Sequence, residues 1–335
     1  MSQTGKTRND WGVVLVNTGT PAAPESGAVR RYLRRFLSDR RIIEAPRWFW
    51  LPLLNGLILP LRAPRSAAKY RSVWMDAGGP LKVYSDRLGI AVARELHAAV
   101  GAVPTAVAYL YSEPGVAAAF GALVSAGVRR IVLLPLFPQM SGTTTGAVYD
   151  QAAAALRQAR VLPELRLLND YHAAPAHIEA LAASVRDHWR QQGRGAHLLI
   201  SFHGIPLAYV RGGDVYGEQC RATAAALAAA LGLGADDWSL AFQSRFGPAQ
   251  WLGPATDTLL RTLPGGGVRA LDVVCPGFAV DCLETLEEIA IAGREIFLHA
   301  GGERFSYISA LNARADHARA LAGLLLDATR DWRQA

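Results

Sequence analysis

The segment HLLISFHGIP (residues 197–206) has the pattern of a buried strand that ends at His203, with Gly204 directly after it. A second apolar run, LDVVCPGF (residues 271–278), leads at once into the acidic stretch AVDCLETLEEI (residues 279–289). Neither run alternates apolar with polar residues, which is typical of parallel strands covered on both faces. Because ligands bind beyond the carboxyl ends of such strands, the imidazole and the carboxylates can meet in one cleft. This pairing suits a protein that handles a proton and a metal ion together.

Similar short apolar runs recur along the chain, with helical stretches between many of them. We predict strands at residues 12–17, 105–111, 130–137, 165–169, 197–202, 240–245, 271–275 and 295–299. We predict helices at residues 116–126, 176–191, 217–231, 254–263 and 314–330. This alternation indicates an α/β fold of two similar doubly wound lobes, with parallel sheets and a cleft between the lobes. We expect an N-terminal lobe at residues 1–165 and a C-terminal lobe at residues 166–335, and the last helix could pack on either.

The composition is that of a folded globular chain. Of its 335 residues 51% are apolar, and the net charge is +7. The charge fits either an ordinary basic surface or attraction to an anionic ligand or membrane, and no nucleic-acid-binding motif accompanies it. The three cysteines form no CxxC pair, so the pattern indicates neither a structural zinc site nor an iron–sulfur cluster. The N-terminus lacks the apolar core of a signal peptide, and we expect a cytoplasmic protein.

One strongly apolar segment, WFWLPLLNGLILPL (residues 48–61), stands out from the rest of the first half. It is shorter than the roughly 20 residues that span a bilayer, and two prolines interrupt it. One interpretation is a buried pair of helices. The other is an exposed apolar lip at the mouth of a pocket or at a membrane surface.

Side chains suited to chemistry cluster at the two strand ends. His203 stands where a strand stops, and Gly204 permits a sharp turn and the close approach of a ligand. Asp281, Glu284 and Glu288 lie at i, i+3 and i+7, which is one face of an α-helix. Carboxylate oxygens in a row can bind a divalent cation, whereas Asp281 in a first helical turn can simply offset the helix dipole.

Two further residues have both an ordinary and a functional interpretation. Trp251 lies in FQSRFGPAQWLGP (residues 242–254), on a predicted loop, where it can pack in the core or present a flat face to an aromatic ligand. Cys282 sits among the acidic residues and is better explained as a small packing residue than as a ligand.

Several motifs together, in order along nearly the whole chain, closely resemble those of the ferrochelatase family, whose members insert ferrous iron into protoporphyrin to make haem. The matching segments are VLVNTGTP (residues 14–21), KYRSVWMDAGGPLK (69–82), LFPQMSGTTTG (136–146), SFHGIP (201–206), and residues 242–254 and 275–289.

The resemblance implies roles for the candidate residues. His203 and Glu284 correspond to the catalytic, metal-binding pair, with His203 accepting a pyrrole proton and Glu284 delivering iron. Asp281 and Glu288 correspond to an acidic track that continues from Glu284. Contacts with porphyrin or its propionates are implied for four residues: Arg62, Arg65, Tyr70 and Trp251. The apolar segment 48–61 corresponds to the family's lip over the pocket.

The chain departs from its resemblance at three positions near the expected metal. Cys282 stands where some relatives carry a second active-site histidine, Thr18 where some carry Tyr or Met, and Leu110 where many carry Arg. These changes would leave fewer nitrogen ligands near the metal, so that metal binding and proton transfer would depend more on His203 and Glu284. The C-terminal cysteine cluster of some relatives is missing, so we predict no iron–sulfur cluster and no tightly bound cofactor, with Fe²⁺ as a substrate.

The expected function is therefore insertion of ferrous iron into protoporphyrin IX, the terminal step of haem biosynthesis. Alternatives are a coproporphyrin ferrochelatase, another tetrapyrrole metal chelatase, or a non-catalytic haem or metal carrier. We expect a monomer that binds no nucleic acid and touches the inner face of the membrane, if at all, through residues 48–61.

Overall fold

The computed structural model describes residues 10–333, and this part of the chain contains two parallel four-stranded sheets. The first sheet has the strand order β2–β1–β3–β4, with β1 Trp11–Asn17, β2 Thr105–Tyr109, β3 Arg130–Pro135 and β4 Glu164–Leu167. The second has the order β6–β5–β7–β8, with β5 His197–His203, β6 Trp238–Gln243, β7 Ala270–Val274 and β8 Arg304–Ile308. The second order repeats the first with each number raised by four, which confirms the prediction of two similar α/β lobes.

Helices join the strands and cover the sheets. Those before β4 are α1 Ser26–Leu37, α2 Arg47–Leu53, α3 Leu59–Val73, α4 Pro80–Val100, α5 Val116–Ser125 and α6 Thr145–Gln158, with a π-helical turn at Leu54–Ile58. Those after β4 are α7 Pro175–Gln192, α8 Leu207–Arg211, α9 Tyr216–Leu231, α10 Thr256–Thr262, α11 Arg294–His299 and α12 Ala315–Ala328. A π-helix at Glu284–Gly293 precedes α11, and 3₁₀ turns occur at Leu263–Gly266 and Asp331–Arg333. No helix within residues 10–333 is both long and apolar enough to cross a membrane.

Both faces of the central strands are buried, as their continuous apolar sequences predict. Along β1, Val13 and Leu15 pack in one core cluster while Val14 and Val16 pack in another on the opposite face. Because no face of such a strand meets solvent, polar side chains within it are few and need partners inside the protein, as Ser201 in β5 and Asp272 in β7 have. The chemistry-bearing side chains of the second lobe therefore collect at its strand ends.

The predicted strand at residues 295–299 is wrong. These residues form α11, which continues from the π-helix, and Phe297 is its fully buried contact with the core. The eighth strand is β8, which pairs in parallel with β7. A short apolar run has too few residues for its period to separate helix from strand, and here the neighbouring helix decided the outcome.

The two lobes exchange helices. Helix α7 follows the last strand of the first sheet, yet Leu181 and Val185 pack in a core cluster of the second lobe. Helix α12 follows the last strand of the second sheet, yet Leu321 and Leu325 pack against β1 of the first. The last helix thus crosses back to the first lobe. Strand β4 ends at Leu167, so the expected division after residue 165 falls inside a strand.

Candidate active site

His203 is the last residue of β5, and its ring is held by the turn that follows. The Nδ1 atom lies 2.6 Å from the carbonyl oxygen of Gly204, which can only accept, so Nδ1 carries the proton of the neutral ring. The Nε2 atom of that tautomer has a lone pair and can accept a proton. A Cβ at Gly204 would lie 2.9 Å from the Gln243 carbonyl oxygen and 3.2 Å from the Trp251 ring, so a larger residue would push these segments apart.

The acidic stretch forms the π-helix, and the end of β6 holds it beside His203. Gln243 pairs with His203 across the sheet, and its Nε2 donates to the carbonyl oxygen of Glu284 at 2.8 Å. Ser244 donates to both carboxylate oxygens of Glu288, from its backbone N at 2.7 Å and its Oγ at 2.5 Å. π-Helices are rare and often occur at functional sites. The imidazole and two carboxylates thus converge at the carboxyl ends of β5 and β6.

Electrostatic interactions link these groups in pairs. Burial raises the pKa of Glu288, while the Ser244 hydrogen bonds and the positive form of His203 oppose that rise and Glu284 adds to it. Glu284 in turn opposes the lowering of the Arg62 pKa that desolvation causes. These charge interactions connect His203, Glu288, Glu284 and Arg62, which we call the row; it includes residues of the second lobe and of helix α3.

Tyrosines of the first lobe and one thiol surround Glu284. Burial is the main cause of the raised pKa of Tyr32, Tyr70 and Cys282, and the Glu284 carboxylate raises each further. All three side chains stay protonated at neutral pH and add no negative charge beside Glu284, and the Tyr32 hydroxyl donates to the Gly19 carbonyl oxygen at 3.0 Å.

Asp281 does not share the face of Glu284 and Glu288. It precedes the helix, is 2% exposed, and its Oδ1 accepts from the Thr285 and Tyr307 hydroxyls at 2.9 and 2.6 Å. Its Oδ2 accepts from the Asn312 side-chain amide at 2.7 Å. The i, i+3, i+7 spacing assumed an α-helix that already includes Asp281, whereas a π-helix begins only after it. Asp281 anchors the start of the helix, and its oxygens are occupied by protein donors.

Of the four residues expected to contact porphyrin, Arg62 and Trp251 come together through Phe246. The Arg62 guanidinium lies 5.4 Å from the centroid of Phe246, whose ring packs edge-on against Trp251 at 4.8 Å. Tyr70 is buried and packs edge-on against Trp74, whereas Arg65 is exposed on α3. Phe246 was not among the predicted residues, although it lies in the same quoted segment as Trp251.

The apolar segment 48–61 is neither fully buried nor fully exposed. Leu54 and Leu59 are buried in a cluster with α1, α3 and Leu283, next to the acidic helix. Trp48 is 81% exposed and Phe49 is 53% exposed. The segment thus packs on the site through one face and presents a large apolar surface with the other.

Two surface depressions lie outside this row. One, of about 420 Å³, is lined by residues around Tyr111 and Arg35; the other, of about 480 Å³, lies between α7 and α12. Neither is lined by His203 or Glu284. In the described part of the chain, no three His, Cys, Asp or Glu side chains are grouped so as to hold a metal.

Solved structures with this fold include two chelatases. SirB from Bacillus subtilis, solved with Fe³⁺, is 10% identical, with 97% of each chain covered and a TM-score of 0.57. CbiX, described as the terminal enzyme for siroheme biosynthesis in denitrifying bacteria, is 15% identical, with 94% of this chain and 98% of that chain covered and a TM-score of 0.50. At these identities the likeness concerns the fold alone.

Sequence comparison is more specific. A protein named ferrochelatase from Aeromonas hydrophila is 51% identical, and the alignment covers 94% of this chain and 97% of that protein. One of the same name from Vibrio cholerae is 49% identical over the same shares. The ferrochelatase family model matches residues 10–329. The chain therefore belongs to the ferrochelatase family.

Proposed function

We propose that this protein inserts ferrous iron into protoporphyrin IX to form protohaem, the terminal step of haem biosynthesis. The observation that carries the proposal is the position of His203 at the end of β5, beside the π-helix that carries Glu284 and Glu288, within a chain about half identical to proteins named ferrochelatase. This arrangement joins a proton acceptor to oxygen ligands for a divalent cation, and metal insertion requires both.

The reaction exchanges two pyrrole N–H protons for one Fe²⁺ ion. Iron must reach the four nitrogens from one face, while the protons leave and the ring is bent so that its lone pairs point out of plane. We assign proton acceptance to Nε2 of His203, because Nδ1 is committed to the Gly204 carbonyl. Burial of the ring between the lobes would compensate for its distortion.

Iron delivery is assigned to Glu284, with Glu288 continuing the acidic track. Carboxylate oxygens replace water ligands of a divalent cation and lower the cost of stripping them. Asp281 is not assigned to this path, since it is 2% exposed and its carboxylate accepts from Thr285, Tyr307 and Asn312, whereas each Glu288 oxygen accepts one bond from Ser244 and keeps a second lone pair.

Porphyrin binding is assigned to the surfaces on either side of the row. Phe246 and Trp251 offer aromatic surface from the second lobe, and Tyr70 of α3 supports the first-lobe side, where it packs against Trp74. Arg62 and the exposed Arg65 offer charge-assisted hydrogen bonds to the two propionates. Planar aromatic surface and paired cations together match a flat dicarboxylate.

We also assign a membrane contact to residues 48–61. Trp48, Phe49, Leu57 and Leu61 are all more than half exposed, and an aqueous surface gives such side chains no favourable contact. A protein at the inner face of the membrane could take up an apolar porphyrin there. The protein would bind the membrane peripherally. We propose that it does so as a monomer.

The decisive test is an anaerobic absorbance assay with purified protein, protoporphyrin IX and Fe²⁺. Multiple turnovers are expected, and His203→Ala should lower kcat by roughly 100-fold or more while porphyrin binding persists, as for loss of a positioned proton acceptor. The exposed His97→Ala is the matched control and should behave as the parent protein.

Other outcomes would redirect the proposal. Stoichiometric binding of haem or metal without turnover would identify a carrier. Faster insertion into coproporphyrin than into protoporphyrin would identify the alternative substrate. Full activity of His203→Ala would remove that residue from the mechanism.

A further inference from the structure

The end of strand β6 makes an unusual set of contacts with both halves of the candidate site. Gln243 is 3% exposed, and its backbone oxygen accepts from Gly204 N at 2.8 Å, next to His203. Its side-chain amide makes two further contacts. Nε2 donates to the backbone carbonyl of Glu284, and Oε1 accepts from Ser201 Oγ at 2.7 Å. One buried side chain thus ties the strand that carries His203 to the helix that carries Glu284.

The next residue completes the connection. Ser244 has a φ of 65°, a region that non-glycine residues rarely adopt. This conformation directs both its backbone N–H and its hydroxyl to the Glu288 carboxylate, one bond to each oxygen. An unfavourable backbone angle that is retained beside reactive groups is typical of a functional site.

We propose that Gln243 and Ser244 are positioning residues that set the spacing between His203 and the two carboxylates of the π-helix. The inference rests on the proposed metal-insertion function and extends it to residues that touch neither iron nor porphyrin. Gln243 fixes the helix at Glu284, and Ser244 fixes it one turn later at Glu288. Because Ser244 turns Glu288 toward β6, the carboxylate of Glu284 is left free to bind the entering ion.

Ser244→Gly separates this role from a structural one. Glycine adopts a positive φ without strain and keeps the backbone N–H bond to Glu288, so the variant loses only the hydroxyl bond. Arg245→Gly is the matched control, since it introduces the same residue at the next position of the loop and removes only a surface ion pair with Asp257. Gln243→Met preserves the buried volume and removes both amide contacts.

The expected result is a selective defect in iron handling. Ser244→Gly should raise the KM for Fe²⁺ by about tenfold or more, the usual effect of losing a group that orients a metal ligand. Its KM for porphyrin and its unfolding temperature should stay at the parent values. Gln243→Met should lower kcat as well, because it also frees the strand end that carries His203.

Binding of Co²⁺ alone, followed by its visible absorption, provides a readout that does not require turnover. Weaker Co²⁺ binding by Ser244→Gly than by Arg245→Gly is expected. If the parent protein fails to insert iron, the proposed function fails, and the Co²⁺ comparison still decides whether the pair positions a metal site. Parent-like iron KM and Co²⁺ affinity in both Ser244→Gly and Gln243→Met would overturn the inference, as would an equal defect in Arg245→Gly.

Discussion

Acid should weaken the junction of the two lobes through a pair of buried histidines. His177 on α7 and His317 on α12 are 1% and 0% exposed, and their ring centroids are 6.2 Å apart. Neither nitrogen of His177 has a hydrogen-bond partner among residues 10–333, whereas His317 Nδ1 lies 2.7 Å from the Asn312 carbonyl oxygen. Since α7 packs on the second lobe and α12 on the first, charging either ring places an unpaired cation where the lobes meet.

The direction of the effect follows from the pKa values. Burial, with help from His317 and His172, lowers the pKa of His177 to about 3. Burial likewise lowers the pKa of His317 to about 4, opposed by its bond to Asn312 and by Asp316. In the unfolded chain both rings titrate near the ordinary value of about 6.5. The unfolded state therefore binds more protons below that value, so stability is intact above it and falls as the pH drops toward 3 to 4.

The magnitude is large enough to measure. At pH 5 the solution is about 1.5 pH units below the pKa of each histidine in the unfolded chain, while both rings are still neutral in the folded protein. At about 1.4 kcal/mol per unit, this difference lowers the free energy of unfolding by about 2 kcal/mol per histidine. The pair together should lower the free energy of unfolding by about 4 kcal/mol between pH 7.5 and pH 5. Urea unfolding at several pH values measures this change.

His177→Phe tests the assignment. Because both nitrogens of His177 lack partners, an apolar ring leaves no new orphan group, and it keeps the edge-on contact with Tyr171 at 5.0 Å. The variant should match or exceed the parent at pH 7.5 and lose about 2 kcal/mol less by pH 5. The exposed His97→Phe should keep the parent's pH dependence. If His177→Phe and the parent lose stability in parallel, the reasoning is refuted.

Four further outcomes are expected. Glu284→Gln should raise the KM for Fe²⁺ in steady-state assays without weakening porphyrin binding, and an unchanged iron dependence would exclude delivery by this residue. Arg62→Ala should weaken fluorescence-detected binding of the dicarboxylate porphyrin more than that of its diester; equal losses would mean that Arg62 only packs. Asp281→Ala should lower the free energy of unfolding by about 3 kcal/mol, because it leaves several buried donors unpaired; a neutral effect in urea unfolding would contradict its anchoring role. Replacing Trp48 and Phe49 together by serine should reduce co-sedimentation with anionic vesicles, and undiminished binding would place the membrane contact elsewhere.

Local sequence predicts some of the candidate site residues, and contacts between distant segments determine the others. His203 ends one apolar strand and Glu284 follows another. The end of a continuous apolar run is easy to locate in the sequence, so both residues could be predicted. Asp281 was grouped with them by α-helical spacing, but the helix that forms is a π-helix beginning after it. The roles of Gln243 and Ser244 depend on atoms that come from segments some 40 residues away, with sequence separations of 41 and 44. No periodicity encodes such contacts.

Apolar continuity was enough to identify seven of the eight parallel strands within residues 10–333, their approximate bounds and the repeat of one lobe by the other, because strands buried on both faces consist mainly of apolar residues. Packing of distant segments determined the remaining features. Residues 295–299 are part of a helix and not of a strand, and α7 and α12 pack on opposite lobes. The same packing places the Arg62 guanidinium over the Phe246 ring. Each of these outcomes depends on contacts between segments that are far apart in the chain. Such contacts stabilise the protein only once it has folded, so the local sequence pattern does not predict them.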